Sequence, residues 1–168
     1  LIGIVGRTNT GKSTFFKAAT LAEVEIANRP FVTLKANHGI GFVKVECAEK
    51  GFNVKCQPKA GYCKNNSRFV PVELLDVPGL IKDAHKGAGL GLSFLDELRQ
   101  ADAFIEIIDV SGSTNEGGEN VDAGSYDPAE DIRVLETEID MWFYGILKKP
   151  WERFTKQLKQ EGKDIEKE

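Results

Sequence analysis

Gly6-Arg7-Thr8-Asn9-Thr10-Gly11-Lys12-Ser13 decides the fold. The stretch fits G-x-x-x-x-G-K-[ST], a turn whose glycines let backbone N–H groups wrap a diphosphate. The residues that would line the anion are Arg7, Thr8, Asn9, Thr10, Gly11, Lys12, Ser13 and Thr14. Lys12 can reach the β- and γ-phosphate oxygens, and Ser13 offers a hydroxyl to Mg2+. Working outward, residues 1–5 are an apolar run that reads as a buried strand. Residues 12–22 have helical spacing, and that helix would aim its positive end at the phosphates.

A second motif follows, Leu74-Leu75-Asp76-Val77-Pro78-Gly79. A strand that ends in Asp, with Gly three residues on, fits D-x-x-G: Asp76 would hold Mg2+ directly or through water. The Gly79 N–H would touch the γ-phosphate and open a loop that moves after hydrolysis. Between the two motifs, Thr33 in Pro30-Phe31-Val32-Thr33-Leu34 is placed to add its hydroxyl to the same metal, although a lone loop Thr is ordinarily a turn residue. Strands are expected at 40–45, 69–77 and 104–110, and a helix at 93–100. A long helical pattern starts at Pro128 and runs to Leu147, where Pro150 should interrupt it. Residues 78–92 and 111–128 read as loops. Strands alternating with helices predict an α/β P-loop NTPase fold, a mostly parallel sheet flanked by helices.

Composition agrees with a globular domain. The chain has 168 residues, 41% hydrophobic and 29% charged, with a net charge of −4, which excludes collagen-like, disordered and disulfide-stapled classes. No apolar run approaches the ~18–20 residues of a membrane span, so no membrane association is expected. The chain opens on Leu1 rather than Met, and the natural protein is expected to extend at both ends. With no signal-peptide pattern and three cysteines, a cytoplasmic setting is expected. Charge is uneven: Lys44, Lys50, Lys55, Lys59, Lys64 and Arg68 face only Glu46 and Glu49 across residues 44–68.

GRTNTGKSTFF, ANRPFVTLKAN and DVPGLIKDAHKGAGLGLSFLDELRQADAFIEIIDVS together resemble the Obg family of translation-factor-related GTPases. EVEIANRPFVTLKANHGIG and EIDMWFYGIL bring the resemblance closest to the YchF-like subfamily. The resemblance implies a Mg2+-dependent nucleoside-triphosphate hydrolase that acts as a switch, with moving loops around Thr33 and residues 79–91, and a ribosome or RNA partner. It implies that Leu80 stands where many GTPases carry a water-positioning Gln, so hydrolysis is slow or uses another group. His85 matches an Ala-His pair proposed as catalytic in YchF-like proteins, and an imidazole there could orient water; an exposed loop His is the equal alternative. Asn9 matches the P-loop Asn of GTPases that recruit K+.

One expected motif is missing. No Asn in the chain begins N-K-x-D, the guanine-reading motif. The reading is therefore a partial nucleotide-binding domain over residues 1–150, with a basic insertion at 44–68, followed by a helical or coiled-coil segment at 151–168 whose apolar stripe is Phe154, Leu158 and Ile165. GTP is the expected nucleotide. An ATP-preferring YchF-like ATPase and a non-hydrolysing nucleotide-binding scaffold are the alternatives. A P-loop kinase would want clustered arginines, and the arginines here are scattered.

Cys47, Cys56 and Cys63 lack the C-x2-4-C spacing and the fourth ligand common in structural zinc sites. Free thiols in a hairpin, a disulfide and a zinc site all stay open. The same basic segment carries Phe52, Tyr62 and Phe69, a composition that can hold RNA through phosphate contacts and stacking, or simply solvate a hairpin.

Overall fold

Strand β1 (Ile2–Val5) runs through the middle of the sheet, which is why its residues are apolar on both faces. The computed structural model describes residues 1–21, 36–52, 54–80, 82–86 and 97–161. In chain order the further elements are α1 (Lys12–Thr20), β2 (Asn37–Glu46), α2 (Glu49–Phe52), β3 (Tyr62–Lys64), β4 (Ser67–Asp76), a 3-10 turn (Ala84–Lys86), β5 (Ala103–Glu106) and α3 (Ala129–Gln160). The main strand order is β2-β4-β1-β5, with β3 on β4. β1 pairs in parallel with both β4 and β5. That is the parallel core the motifs predict. A long antiparallel arm extends it: β2 and β4 pair from Asn37↔Asp76 to Glu46↔Ser67, and β3 pairs antiparallel with the start of β4. The sheet is therefore mixed.

Alternation along the strands splits the core. Ile4 and Leu74 pack with Phe16 of α1 on one face. Val5 and Leu75 pack on the other with Val77, Leu80, Ala84, Leu98 and Leu135, backed by Val134, Ile139 and Trp142 of α3. Burying each large apolar side chain contributes ~1.5–3 kcal/mol.

The helical expectation needs correction at Pro150. α3 continues through it to Gln160 without a break. Proline removes one N–H and crowds the carbonyl four residues back, here Ile146. Ile146 and Pro150 are both exposed, so water can take up that carbonyl while the flanking turns stay helical. β2 is longer than expected and β5 shorter. Residues 93–96 of the expected 93–100 helix, Ile165 of the C-terminal stripe, Thr33 with residues 30–35, and residues 81 and 87–91 of the expected 79–91 loop lie outside the described residues.

Candidate nucleotide-binding site

The loop after β1 bends as its glycines require. Gly6 and Gly11 have φ 138° and 96°, and Asn9 joins them in the left-handed region at 63°. Gly11 is the N-cap of α1, and no side chain caps that helix. Its first amides point into the loop, where an anion would sit.

Two further segments close on this loop. The Leu80 N–H donates to Gly6 O at 3.0 Å, and Arg7 and Leu80 form a parallel bridge that carries the β1–β4 pairing past the strand ends. A methyl group on Gly79 would come within 2.4 Å of the Thr8 backbone, and one on Gly118 within 2.2 Å of the Thr8 side chain. Thr8 is thus gripped between the D-x-x-G turn and the loop after β5.

At the heart of the site, the Ser13 hydroxyl donates to Asp76 Oδ2 at 2.7 Å. Asp76 has no exposed surface, and its Oδ1 is buried without a hydrogen-bond partner among the described residues. Burial pushes the Asp76 carboxyl up, and the Ser13 hydrogen bond and Lys12 charge oppose that. Lys12 is 6% exposed and donates to Arg7 O at 2.7 Å. Burial lowers its ammonium to about 8, against an attraction to Asp76. A serine hydroxyl and a carboxylate with an orphaned oxygen, beside a buried lysine, form a hard oxygen donor set of the kind that suits Mg2+.

The remaining expected residues divide. Thr10 Oγ1 donates to Arg7 O, and Thr14 is exposed. Asn9 Nδ2 donates to Gly118 O and Asn120 Oδ1 at 3.1 and 3.2 Å. The Arg7 guanidinium is committed elsewhere: Nε donates to Asp131 Oδ1 at 2.7 Å, its terminal nitrogens to Thr114, Asn115 and Asp131, and it stacks over Tyr126 at 4.4 Å. Tyr126 itself donates to Asp131, and burial first and Asp131 second push its hydroxyl up to about 12. The side chain of Arg7 thus ties the loop to α3, leaving only its backbone for phosphate. Thr33 lies outside the described residues.

His85 sits in the 3-10 turn, and its Nδ1 is 2.7 Å from Glu138 Oε2 of α3. The same carboxylate accepts the backbone N–H groups of Asp83 and His85 at 2.6 and 2.8 Å. Glu138 is 2% exposed, and His85 Nε2 is buried without a hydrogen-bond partner among the described residues. This turn is therefore fastened to α3 rather than free.

Sequence reasoning missed Glu138, Asp131 and Asp109. The last caps its own loop, accepting from Ser111, Ser113 and Thr114, which holds its carboxyl at about 2. Asp109 had a legible signal, Asp-x-Ser-x-Ser-Thr after a strand. Asp131 and Glu138 are single acids on a charged helix, and nothing local marks them.

Residues 1–144 match the family model described as 50S ribosome-binding GTPase. The chain belongs to this family. An uncharacterized GTP-binding protein of Methanocaldococcus jannaschii is 47% identical over 161 residues, which cover 96% of this chain and 40% of that protein. The ribosome-binding ATPase YchF of Bacillus subtilis is 35% identical over 96% of this chain and 42% of its own length. Among solved structures, a GTP-binding protein from Pyrococcus horikoshii OT3 superposes with a TM-score of 0.69 at 36% identity, covering 98% of this chain and 39% of that one. These relatives, with a GTPase Obg at 36% identity, place the chain among Obg-family P-loop GTPases. The chain spans about two fifths of the length of the first two relatives.

Proposed function

We propose that this chain is the phosphate-binding part of a Mg2+-dependent nucleoside-triphosphate hydrolase that works as a switch. The observation that carries the reading is the Ser13–Asp76 pair with the buried, unpartnered Asp76 Oδ1 beside Lys12. Ser13, Asp76 and Thr33 would hold Mg2+, which supplies charge neutralisation on the β- and γ-phosphates. The P-loop amides from Arg7 to Thr14 and the Gly79 N–H bind and orient the phosphates, and Lys12 adds its charge once the anion draws it from Arg7 O. His85, held by Glu138, orients water, Leu80 having no polar group to do so. Residues 1–150 form the partial nucleotide-binding unit, and 151–168 a helical extension. The setting is cytoplasmic.

GTP is the favoured nucleotide, by likeness to GTP-binding relatives. The ATPase reading has its own support, because a relative named an ATPase is 35% identical across nearly the whole chain. The same relative is named ribosome-binding, and the exposed Lys55, Lys59 and Lys64 supply a basic face for such a partner; reversing those charges should weaken ribosome co-sedimentation and leave nucleotide affinity unchanged. K+ beside Asn9 is a further cofactor of this reading, and equal phosphate release in K+ and Na+ buffers would end it.

The test is multiple-turnover phosphate release from GTP and from ATP. Lys12→Ala should lower it by about 100-fold or more, the order of losing one preorganised charge-stabilising donor. No release from either nucleotide by the wild-type protein would leave the scaffold reading.

A further inference from the structure

Residues 47–66 leave the sheet between β2 and β4. Cys47 directly follows β2, Cys63 lies in β3, and Cys56 is in the loop between them. Asn65 and Asn66 both adopt left-handed backbone, φ 52° and 59°, which makes the tight β3–β4 turn. That turn folds Cys63 back beside Cys47, whose N–H donates to Asn66 O at 2.9 Å. The three sulfurs lie within 4.8 Å of one another, and those of Cys47 and Cys63 are 3.4 Å apart.

Magnitudes separate the readings that the spacing alone leaves open. Tetrahedral zinc, with Zn–S of ~2.3 Å, sets its sulfurs about 3.8 Å apart. A disulfide needs ~2.05 Å. The observed 3.4 Å is far nearer the edge of a metal tetrahedron, and the third sulfur, which a disulfide would leave out, is gathered in as well. We propose that Cys47, Cys56 and Cys63 form a thiolate site for a soft divalent cation, Zn2+ in the first place, with water at the fourth position.

The surroundings support it. The Glu49 carboxylate accepts the Cys56 N–H at 2.8 Å, which holds the Cys56 backbone in place. Among the described residues of the excursion only Cys47 is buried, while Phe52 and Val54 are 75% and 62% exposed. A segment with so little apolar core gains from a metal cross-link. Three thiolates and Zn2+ leave one negative charge, which the lysines of the segment offset. Soft sulfur ligands also keep this site chemically apart from the hard oxygen set at Ser13 and Asp76.

The test is titration of the purified, reduced, metal-stripped protein with Co2+ as spectroscopic probe, followed by Zn2+. The proposal expects one Co2+ per chain with a tetrahedral absorption spectrum and sulfur-to-cobalt charge transfer of three-thiolate intensity. Zn2+ should displace it and shield all three thiols of the wild-type protein from alkylation. Cys56→Ser should weaken binding by at least about tenfold and remove one thiolate's share of the charge transfer. Asp76→Asn should leave the cobalt stoichiometry intact, which separates this site from the nucleotide site. An octahedral spectrum without charge transfer, undiminished alkylation in Zn2+, or a Cys47–Cys63 disulfide that forms equally with Zn2+ present would overturn the proposal.

Discussion

The two ends of β4 are built in opposite ways. At its C-terminal end Asp76 has no exposed surface, with Ser13 bonded to it, the Lys12 charge acting on it and Thr8 clamped nearby between two glycine turns. Seven to nine residues back along the strand, roughly 25–30 Å away at the usual strand rise, β4 pairs with β3 under an excursion whose apolar side chains meet solvent. The first end buries charges at a cost in stability. The second spends almost no burial and relies on backbone pairing, a Tyr62–Phe69 stack at 4.6 Å and the cysteine cluster. The proposed chemistry on phosphates would need the first design, because a charge works harder in a dry site than in water.

The sharpest way to break that contrast is Arg7→Ala. It leaves Asp131 buried and uncompensated, and should destabilise the protein by ~3–5 kcal/mol, read as a lowered urea midpoint with unchanged slope. A loss within surface-substitution size would mean that the loop after β1 is not held to α3 by this pair.

Glu138→Gln comes next. One carboxylate serves three donors, and an amide cannot, so the cost should be ~1–3 kcal/mol. Hydrogen exchange at the Asp83 and His85 amides should quicken while that of β1 stays slow. Exchange that rises equally in both places would show global unfolding instead of a released turn.

The smallest effect is a pH dependence. Asp109 is held at about 2, below its ordinary 3.8, first by its Ser111 hydrogen bond. A depressed carboxylate contributes stability above the unfolded value and loses it as pH falls from about 3.8 to about 2. Asp109→Asn should therefore unfold more easily than wild type at neutral pH, with the gap closing across that window. Asp76 and Lys12 both cost stability at neutral pH, with opposite slopes. The raised Asp76 carboxyl makes stability fall as pH climbs from 3.8 to its folded value. The lowered Lys12 ammonium makes stability rise as pH climbs from about 8 to 10.5. One aspartate steadies the scaffold and the other weakens it.

What could be read in the sequence follows the same divide. The turn proposed to hold phosphate was legible because amides that are to wrap an anion must be consecutive, and Gly6 to Ser13 is one uninterrupted turn. Asp76 was legible because D-x-x-G closes on that turn at a fixed spacing. The Arg7–Asp131 and His85–Glu138 pairs were not, since each joins residues more than fifty positions apart and no local pattern selects the partner. The cysteine cluster was obscured for a similar reason: the Asn65-Asn66 turn, not the Cys spacing, brings the sulfurs together. Pro150 misled because a proline on an exposed helix face interrupts hydrogen bonding without ending the helix.

The most direct test of the account is the Mg2+ dependence of phosphate release in wild type and Asp76→Asn, with urea unfolding of both at pH 7. The account predicts that the variant loses about 100-fold or more in turnover, needs more Mg2+ for what remains, and unfolds no more easily than wild type, because the lost carboxylate opposed folding. A variant that turns over at the wild-type rate with the wild-type Mg2+ requirement would contradict the central claim that Asp76 and Ser13 hold the catalytic metal.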